Sequence, residues 1–451
     1  MTTTSARPAP SVPPGPPLRA GARLFKQLAT DRLALMSEAA RDYGDAVKIT
    51  IGPKTLYFFN HPDHARHVLA DNAANYHKGI GLVQARRAIG DGLLTSEGAL
   101  WKEQRNVIRP VFRHQRISAQ ADVITEEAEA LAARLAAHAG GPPVDVVAEL
   151  TGLTLGVLGR TLLDADLGRF TGIAHAFEAV QDQAMFEMVT LGAVPMWVPL
   201  PHQLRFRKAR RELDRVVATL VAERRAAMGE DDVVSRLIRS VDREADPAVA
   251  RTRLRDELVT LLLAGHETTA STLGWAFHLL DRHPDVADRV RDEVASVVGD
   301  GPVRFAHLHG LAYTVQVLQE VMRLYPPVWI LPRQAQAADV VGGYGVPAGA
   351  DVVICPFTLH RHPAFWPDPE RFDPGRFDGS AEGRPKFAHL PFGAGPRFCV
   401  GNSLGMVEAT IVLATVVRSL RLAAPAGASP TPEPMLSLRV RGGLSMRVSR
   451  R

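Results

Sequence analysis

The amino-acid sequence predicts a mainly α-helical protein with small β-sheets. Three observations carry this expectation. Runs with helical periodicity are long and outnumber strand-like runs. The strand-like runs fall into small groups near residues 47–59, 351–355 and 436–448. No internal repeat and no second linker breaks the chain after its first twenty residues. Residues 21–451 are therefore expected to form one domain, although length alone, at roughly 150 residues per domain, would suggest about three. Hydrophobic residues at 46% and charged residues at 22% are ordinary for a globular chain, and a chain of 451 residues can bury a core without staples.

In chain order, residues 1–20 read as a disordered or polyproline lead-in, Pro-rich from Pro8 to Pro17. They hold no apolar segment of a secretory signal. Nowhere do about 18 apolar residues run together as a membrane span would need, so a cytoplasmic bacterial protein is expected. Val47-Lys-Ile-Thr-Ile51 alternates, Gly52-Pro53 turns the chain, and Thr55-Leu-Tyr-Phe-Phe59 returns, as two strands do. Pro62 opens a helix. Ala119 to Ala139 is a long Ala/Glu/Leu helix stopped at Gly140-Gly141, and Ala209 to Met228 is another. Leu254 to Arg282 is helical with an apolar middle and ends before Pro284. Strands return at Asp351 to Cys355 and in the Leu436 to Val448 region, where Gly442-Gly443 turns.

Charge excludes some functions. The net charge is +5, with 53 basic and 48 acidic residues. Only 7 of the basic residues are Lys, which reads as the bias of a GC-rich bacterial genome. Both signs are interleaved, and aromatic residues reach only 6%, unlike a nucleic-acid binder with a basic patch and stacking platforms. One dense basic run, Arg205-Phe-Arg-Lys-Ala-Arg-Arg211, reads as a solvated helix face, with a partner or membrane surface as the alternative.

Two cysteines, Cys355 and Cys399, exclude a disulfide framework and any four-cysteine metal site. Cys399 lies in Phe392-Gly-Ala-Gly-Pro-Arg-Phe-Cys-Val-Gly401. An isolated cysteine after a Gly-rich turn is most simply a buried thiol. This segment, however, resembles the haem-binding loop of the cytochrome P-450 family at Phe392, Gly395, Arg397, Cys399 and Gly401. The resemblance implies haem b, with Cys399 as the iron ligand through its electron-donating thiolate. It implies Phe392 as a shield for the sulfur and Arg397 on a propionate. It also implies Gly401 where a helix approaches the porphyrin, and backbone N–H groups that temper the sulfur. Cys355, with His360 and His362 in Cys355-Pro-Phe-Thr-Leu-His-Arg-His362, imitates a metal site. It ends a strand-like run that would bury it, so it reads as a core thiol beside structural histidines.

Further motifs support the resemblance. Ala264-Gly-His-Glu-Thr-Thr269 resembles the family's oxygen-activation signature. Ala264 and Thr268 share one helix face at i and i+4. Glu267 and Thr268 would relay protons to dioxygen, as breaking the O–O bond requires. The plain alternative is a helical threonine bonded back to a carbonyl. Glu320-Val-Met-Arg323 can pair on a helix, and Arg371 in Pro369-Glu-Arg-Phe372 would close a structural Glu–Arg–Arg triad. Trp101-Lys-Glu-Gln-Arg105 resembles the pattern that grips a propionate, and Arg333 is a further candidate. The fold implied is that of the cytochrome P-450s, with haem between the long oxygen-activation helix and the helix after the cysteine loop.

The function implied is that of a haem-thiolate monooxygenase using O2 and two electrons. A ferredoxin and its reductase are the expected donors, docking on a basic helix with Arg105, Arg109, Arg113 and Arg116. Ala264, Val328, Trp329 and Ile330 are expected pocket residues. Few fixed charges occur there, which suits a lipophilic substrate. The run Leu324-Tyr-Pro-Pro-Val-Trp-Ile330 is similar to bacterial terpene hydroxylases, with a fatty acid, polyketide or steroid as other substrates. A monomer is expected. The competing readings are a peroxygenase or isomerase on the same fold and a non-enzymatic haem sensor. The Glu267–Thr268 pair favours the monooxygenase.

Overall fold

The computed structural model describes residues 11–451 except 171, 228–231, 243, 381 and 382. The described chain divides into two compact units. The first comprises the chain to Leu82, Trp329–Pro369 and Gly383–Phe398; the second comprises Val83–Val328, Glu370–Glu382 and Cys399–Arg451.

The first unit is built on a five-stranded sheet. Its order is Ala46–Ile51, Lys54–Phe59, Asp351–Ile354, Leu331–Ala335, Tyr76–Lys78. The first two form the expected hairpin, with Thr50 opposite Thr55 and Gly52 at φ 56° in the turn. Lys54–Phe59 runs parallel to Asp351–Ile354, and the remaining pairs are antiparallel. All four residues of Asp351–Ile354 are buried, which explains the unbroken apolar run Val352-Val-Ile354. Phe59, Val352, Ile354, Leu69 and Leu359 fill the core beside this sheet. As expected, Pro62 opens a helix, Pro62–Arg66, at a first-turn position that needs no N–H donor.

The lead-in follows the polyproline alternative rather than the disordered one where it is described. Residues 1–10 lie outside the described residues, but residues 11–20 are held rather than disordered. Ser11 N–H donates to Gly343 O at 3.2 Å, and Lys48 N–H donates to Pro14 O at 2.8 Å. A Cβ at Gly15 would lie 2.0 Å from Lys48 O, so only glycine allows this approach. Pro17, at φ −64° and ψ 150°, has the polyproline conformation, whose free carbonyls are what an edge strand can use.

The second unit is helical. Its longest element is Pro247–Arg282, 36 residues or about 54 Å. It starts seven residues before the expected Leu254. The opening Pro247-Ala-Val-Ala-Arg-Thr-Arg253 buries no side chain and so carries no apolar periodicity, yet Asp246 caps it by accepting from Ala248 N–H at 2.8 Å. Buried residues run from Leu254 to Leu280 on most faces of this helix. It packs against Val146–Leu158, Ala312–Leu324 and Asn402–Ser419. Trp275 stacks on Tyr325 with centroids 3.8 Å apart and planes 1° from parallel. The other two expected helices run His114–Ala137 and Pro201–Ala226, again starting early; the expected end at 228 lies outside the described residues. Val146–Leu163 is long and apolar enough to cross a membrane, but 61% of it is buried, as in a core helix.

Gly442-Gly443 does not close a hairpin. Leu438–Val440 pairs with Pro432–Pro434, whereas Ser445–Arg450 pairs with Leu420–Ala423 and Val144–Asp145. The two glycines, at φ 71° and 85°, carry the chain from one sheet to another.

Candidate haem-thiolate site

The cysteine loop passes from the first unit to the second between Phe398 and Cys399. Gly395 sits at φ 65°, and a Cβ there would lie 1.8 Å from Leu69 O. Backbone packing alone therefore requires this glycine. Gly401 differs: a Cβ would meet only the Phe112 ring, at 3.4 Å. The chain's own packing does not demand a glycine there, which leaves room for a flat group.

Cys399 is exposed by surface area. Burial still pushes its thiol pKa up, while the backbone N–H groups of Gly401 and Asn402 and the charge of Arg105 favour the thiolate. The expected stabilising amides are thus present at the start of the helix Asn402–Ser419. Arg105 lies 5.7 Å over the Trp101 ring, both on Gly98–Ile108. Burial and Arg109 lower the Arg105 pKa, and Cys399 raises it. So Trp101, Arg105, Cys399 and Gly401 belong to one neighbourhood of the second unit. In the first unit, Arg333 is buried on Leu331–Ala335 and donates to Pro332 O at 2.9 Å. Phe392 is half-buried, with its ring 6.3 Å from Phe398, and Arg397 ends the short 3-10 turn Gly395–Arg397.

The expected docking helix is not one helix. Arg105 ends one, Arg109 lies in the 3-10 turn Arg109–Phe112, Arg113 is extended at φ −71° and ψ 145°, and Arg116 belongs to the next helix. Pro110 forces this break, because its ring clashes with the preceding turn.

On the long helix, Ala264 is exposed although Leu263 before it and His266 two residues on are buried. Thr268 Oγ1 donates to Ala264 O at 2.9 Å, so the back-bonded arrangement is the one present. That bond uses the hydroxyl's proton and leaves its lone pairs to accept another. Gly265 has a packing reason as well, since a Cβ would lie 2.7 Å from a Leu158 methyl. Burial raises the Glu267 pKa; Gln181, Ser437 and Arg439 oppose this, and Glu178 adds to it. Arg439 is itself paired with Glu433 at 2.7 Å. Sequence patterning missed Gln181, Ser437 and Arg439, since no local motif links them to residue 267. It also passed over His266, which is buried against Phe177 with centroids 4.7 Å apart. Burial pushes its pKa down to about 4, so it is neutral.

The triad needs one correction. Glu320 and Arg323 are fully buried and paired through two bonds, at 2.6 and 2.9 Å. Arg371 is exposed and offers only its carbonyl, to Arg323 Nη2 at 3.0 Å. The third cation is Arg376, with Nε 3.4 Å from Glu320 Oε1 and a side chain 9% exposed. Asp373 N–H adds a bond to the same oxygen at 2.8 Å. The sequence offers two similar segments, Pro369-Glu-Arg-Phe372 and Pro374-Gly-Arg-Phe377. The second forms the 3-10 turn Pro374–Phe377, which packs on the Glu320 helix.

Cys355 is fully buried, and its thiol donates to Trp329 O at 3.2 Å. Burial pushes its pKa up to about 11. His360 accepts from Leu390 N–H at 2.7 Å, and His362 pairs with Asp45 at 2.8 Å. Both histidines are structural, as expected. Trp329 corrects another expectation. It is 2% exposed and counts with the core, while Val328 and Ile330 are half-buried. An indole carries a large apolar area, and burying it favours the core.

Comparison with known proteins agrees with the loop. The family model described as Cytochrome P450 matches residues 13–445. Cyclooctatin synthase of Streptomyces melanosporofaciens is 34% identical over 88% of this chain and 87% of its own. Cyclooctat-9-en-7-ol 5-monooxygenase of the same organism is 33% identical over 84% and 83%. Pentalenene oxygenase of Streptomyces avermitilis is 32% identical over 86% and 87%. With such a loop, helix and buried triad, the chain belongs to the cytochrome P450 family. It is an oxidoreductase, a monooxygenase that uses haem iron, O2, redox partners and lipophilic substrates. The residues fit that cofactor. An accessible cysteine is flanked by N–H groups that favour its thiolate, and Gly401 leaves the space that a Cβ would occupy.

Proposed function

We propose that this cytochrome P450 oxidises a terpenoid of secondary metabolism. The observation that carries the reading is the likeness to three Streptomyces relatives whose names specify terpenoid chemistry, each over more than four-fifths of the chain. When bound, haem b supplies the activation of dioxygen; the remaining work falls to side chains. Cys399 provides the thiolate ligand, and Gly401 and Asn402 temper it. Trp101, Arg105, Arg333 and Arg397 hold the propionates, and Phe392 keeps water from the sulfur. Glu267, whose burial favours the protonated form, would supply protons for dioxygen cleavage, and Thr268, its own proton held at Ala264 O, would accept within that relay. Ala264, Val328 and Ile330 face the substrate. Glu320, Arg323 and Arg376 hold the scaffold. Residues 21–451 act as one monomeric cytoplasmic domain, and a ferredoxin with its reductase supplies the electrons.

The test is a screen of the haem-loaded protein against cyclic sesquiterpene and diterpene hydrocarbons and alcohols, with fatty acids, polyketides and steroids in parallel. A terpenoid is expected to give the low-to-high-spin shift and a product heavier by one oxygen atom. A shift and turnover confined to another class would overturn the substrate assignment.

A further inference from the structure

A cavity of about 360 Å³ opens in the second unit, and every residue that lines it belongs to that unit. It lies where the long helix Pro247–Arg282 ends, the helix Pro284–Val298 begins and the helix Asn402–Ser419 passes into the strand Leu420–Ala423. Pro284 denies the preceding His283 a helical conformation, leaving it at φ −130° and ψ 75°, so the first two helices meet at a corner. The last strand, Ser445–Arg450, pairs with Leu420–Ala423 and adds its final residues to the lining. The volume lies within the usual range of small-molecule sites, roughly 300–1,000 Å³.

The inner wall is apolar. Phe277, Leu280, Ala287, Val416 and Leu420 form it, and all are buried. The mouth is charged, with more cations than anions. Arg291, Arg421, Arg450 and Arg451 stand against Asp281 and Asp288. Asp288 is already engaged, since Arg291 Nη1 and Arg451 Nη1 each reach its Oδ1 at 2.9 Å. Asp281 accepts from Ala424 N–H at 3.0 Å. Arg421 and Arg450 are exposed and stand one register step apart on the paired strands. Neither enters an ion pair among the described residues. Two guanidinium groups that lack a carboxylate thus sit at the rim of an apolar recess.

We propose that this cavity binds an amphipathic carboxylate, with its apolar chain on the inner wall and its carboxylate on Arg421 and Arg450. A guanidinium matches a carboxylate through two parallel N–H···O bonds. A neutral lipophile would gain only the wall. A short anion would gain only the arginines, and an exposed ion pair alone is weak. Asp281 and Asp288 in the same lining disfavour a head of higher negative charge. The cavity is separate from the oxygen-activation residues. Phe277 lies beyond Thr268 on the same helix, about 14 Å further along its axis.

The test is a calorimetric titration of the haem-loaded enzyme with decanoate, with the Soret band followed in parallel. Decanol and acetate serve as the neutral and the short counterparts. Decanoate is expected to bind without moving the Soret band and to raise the melting temperature. Decanol and acetate are expected to bind roughly tenfold or more weakly. Arg421→Glu with Arg450→Glu is expected to weaken decanoate by roughly tenfold or more, with melting of the free protein unchanged. Ala287→Phe, which fills the inner wall, is expected to weaken it as well. No binding of decanoate, or binding only with a Soret shift, would overturn the proposal. So would equal affinity for decanol or acetate, or a charge-reversed variant that binds decanoate as the parent does.

Discussion

Glu257 lies on the long helix, 3% exposed, with its carboxylate receiving Leu93 N–H at 3.3 Å. Burial, with Asp256 and Asp91 close by, pushes its pKa from 4.5 up to about 8. Below pH 4.5 the folded and unfolded chains both carry this proton. As pH rises toward 8, the unfolded chain releases it first, and the fold loses up to about 1.4 kcal/mol per pH unit. Above about 8 the loss is complete, on the order of a few kcal/mol. Glu257→Gln carries no such proton and keeps an acceptor for Leu93. In denaturant titrations its stability advantage over the parent is expected to open between these pH values and then stay level. Parallel curves would show that Glu257 titrates normally. Nothing in the sequence marks this residue, because Asp91 and the Leu93 loop that crowd it lie more than 160 positions away. Cys399 is the opposite case. Its chemistry is written into ten consecutive residues, and so it was legible.

At the scale of elements, the buried Glu320–Arg323 pair was readable from its i, i+3 spacing, and its third partner was not. Arg371 and Arg376 sit in near-identical Pro-x-Arg-Phe contexts, and only the turn Pro374–Phe377 decides between them. Arg376→Ala is expected to leave part of the Glu320 charge uncompensated, lowering stability by about 3–5 kcal/mol and the yield of haem-loaded protein. Arg371→Ala is expected to change either by little, since its side chain is exposed. Thermal melting and haem content of the two variants measure this, and the reverse ranking would restore Arg371 to the triad. Helix bodies were legible for the same local reason as the pair, and their starts were not. Pro201–Lys208 is mostly polar and Pro247–Arg253 is unburied, so periodicity does not show; proline carries the signal instead, with a capping aspartate at the second. Which strand pairs with which was also hidden. Leu438–Val440 and Ser445–Arg450 are neighbours in sequence and belong to different sheets.

At the scale of the molecule, two compact units each contribute residues that the P450 family resemblance assigns to haem. The first carries Arg333, Phe392 and Arg397; the second carries Trp101, Arg105, Glu267, Thr268, Cys399 and Gly401. That assignment was legible as a set of motifs in a fixed order. The account rests most on Cys399 as the thiolate. Its most direct test is the spectrum of the reduced protein with carbon monoxide, recorded for the parent, Cys355→Ser and Cys399→Ser. The parent and Cys355→Ser are expected to show the red-shifted Soret band of thiolate ligation, and Cys399→Ser to lose it. A thiolate band that survives in Cys399→Ser, or that disappears in Cys355→Ser while that variant stays folded and haem-loaded, would contradict the account.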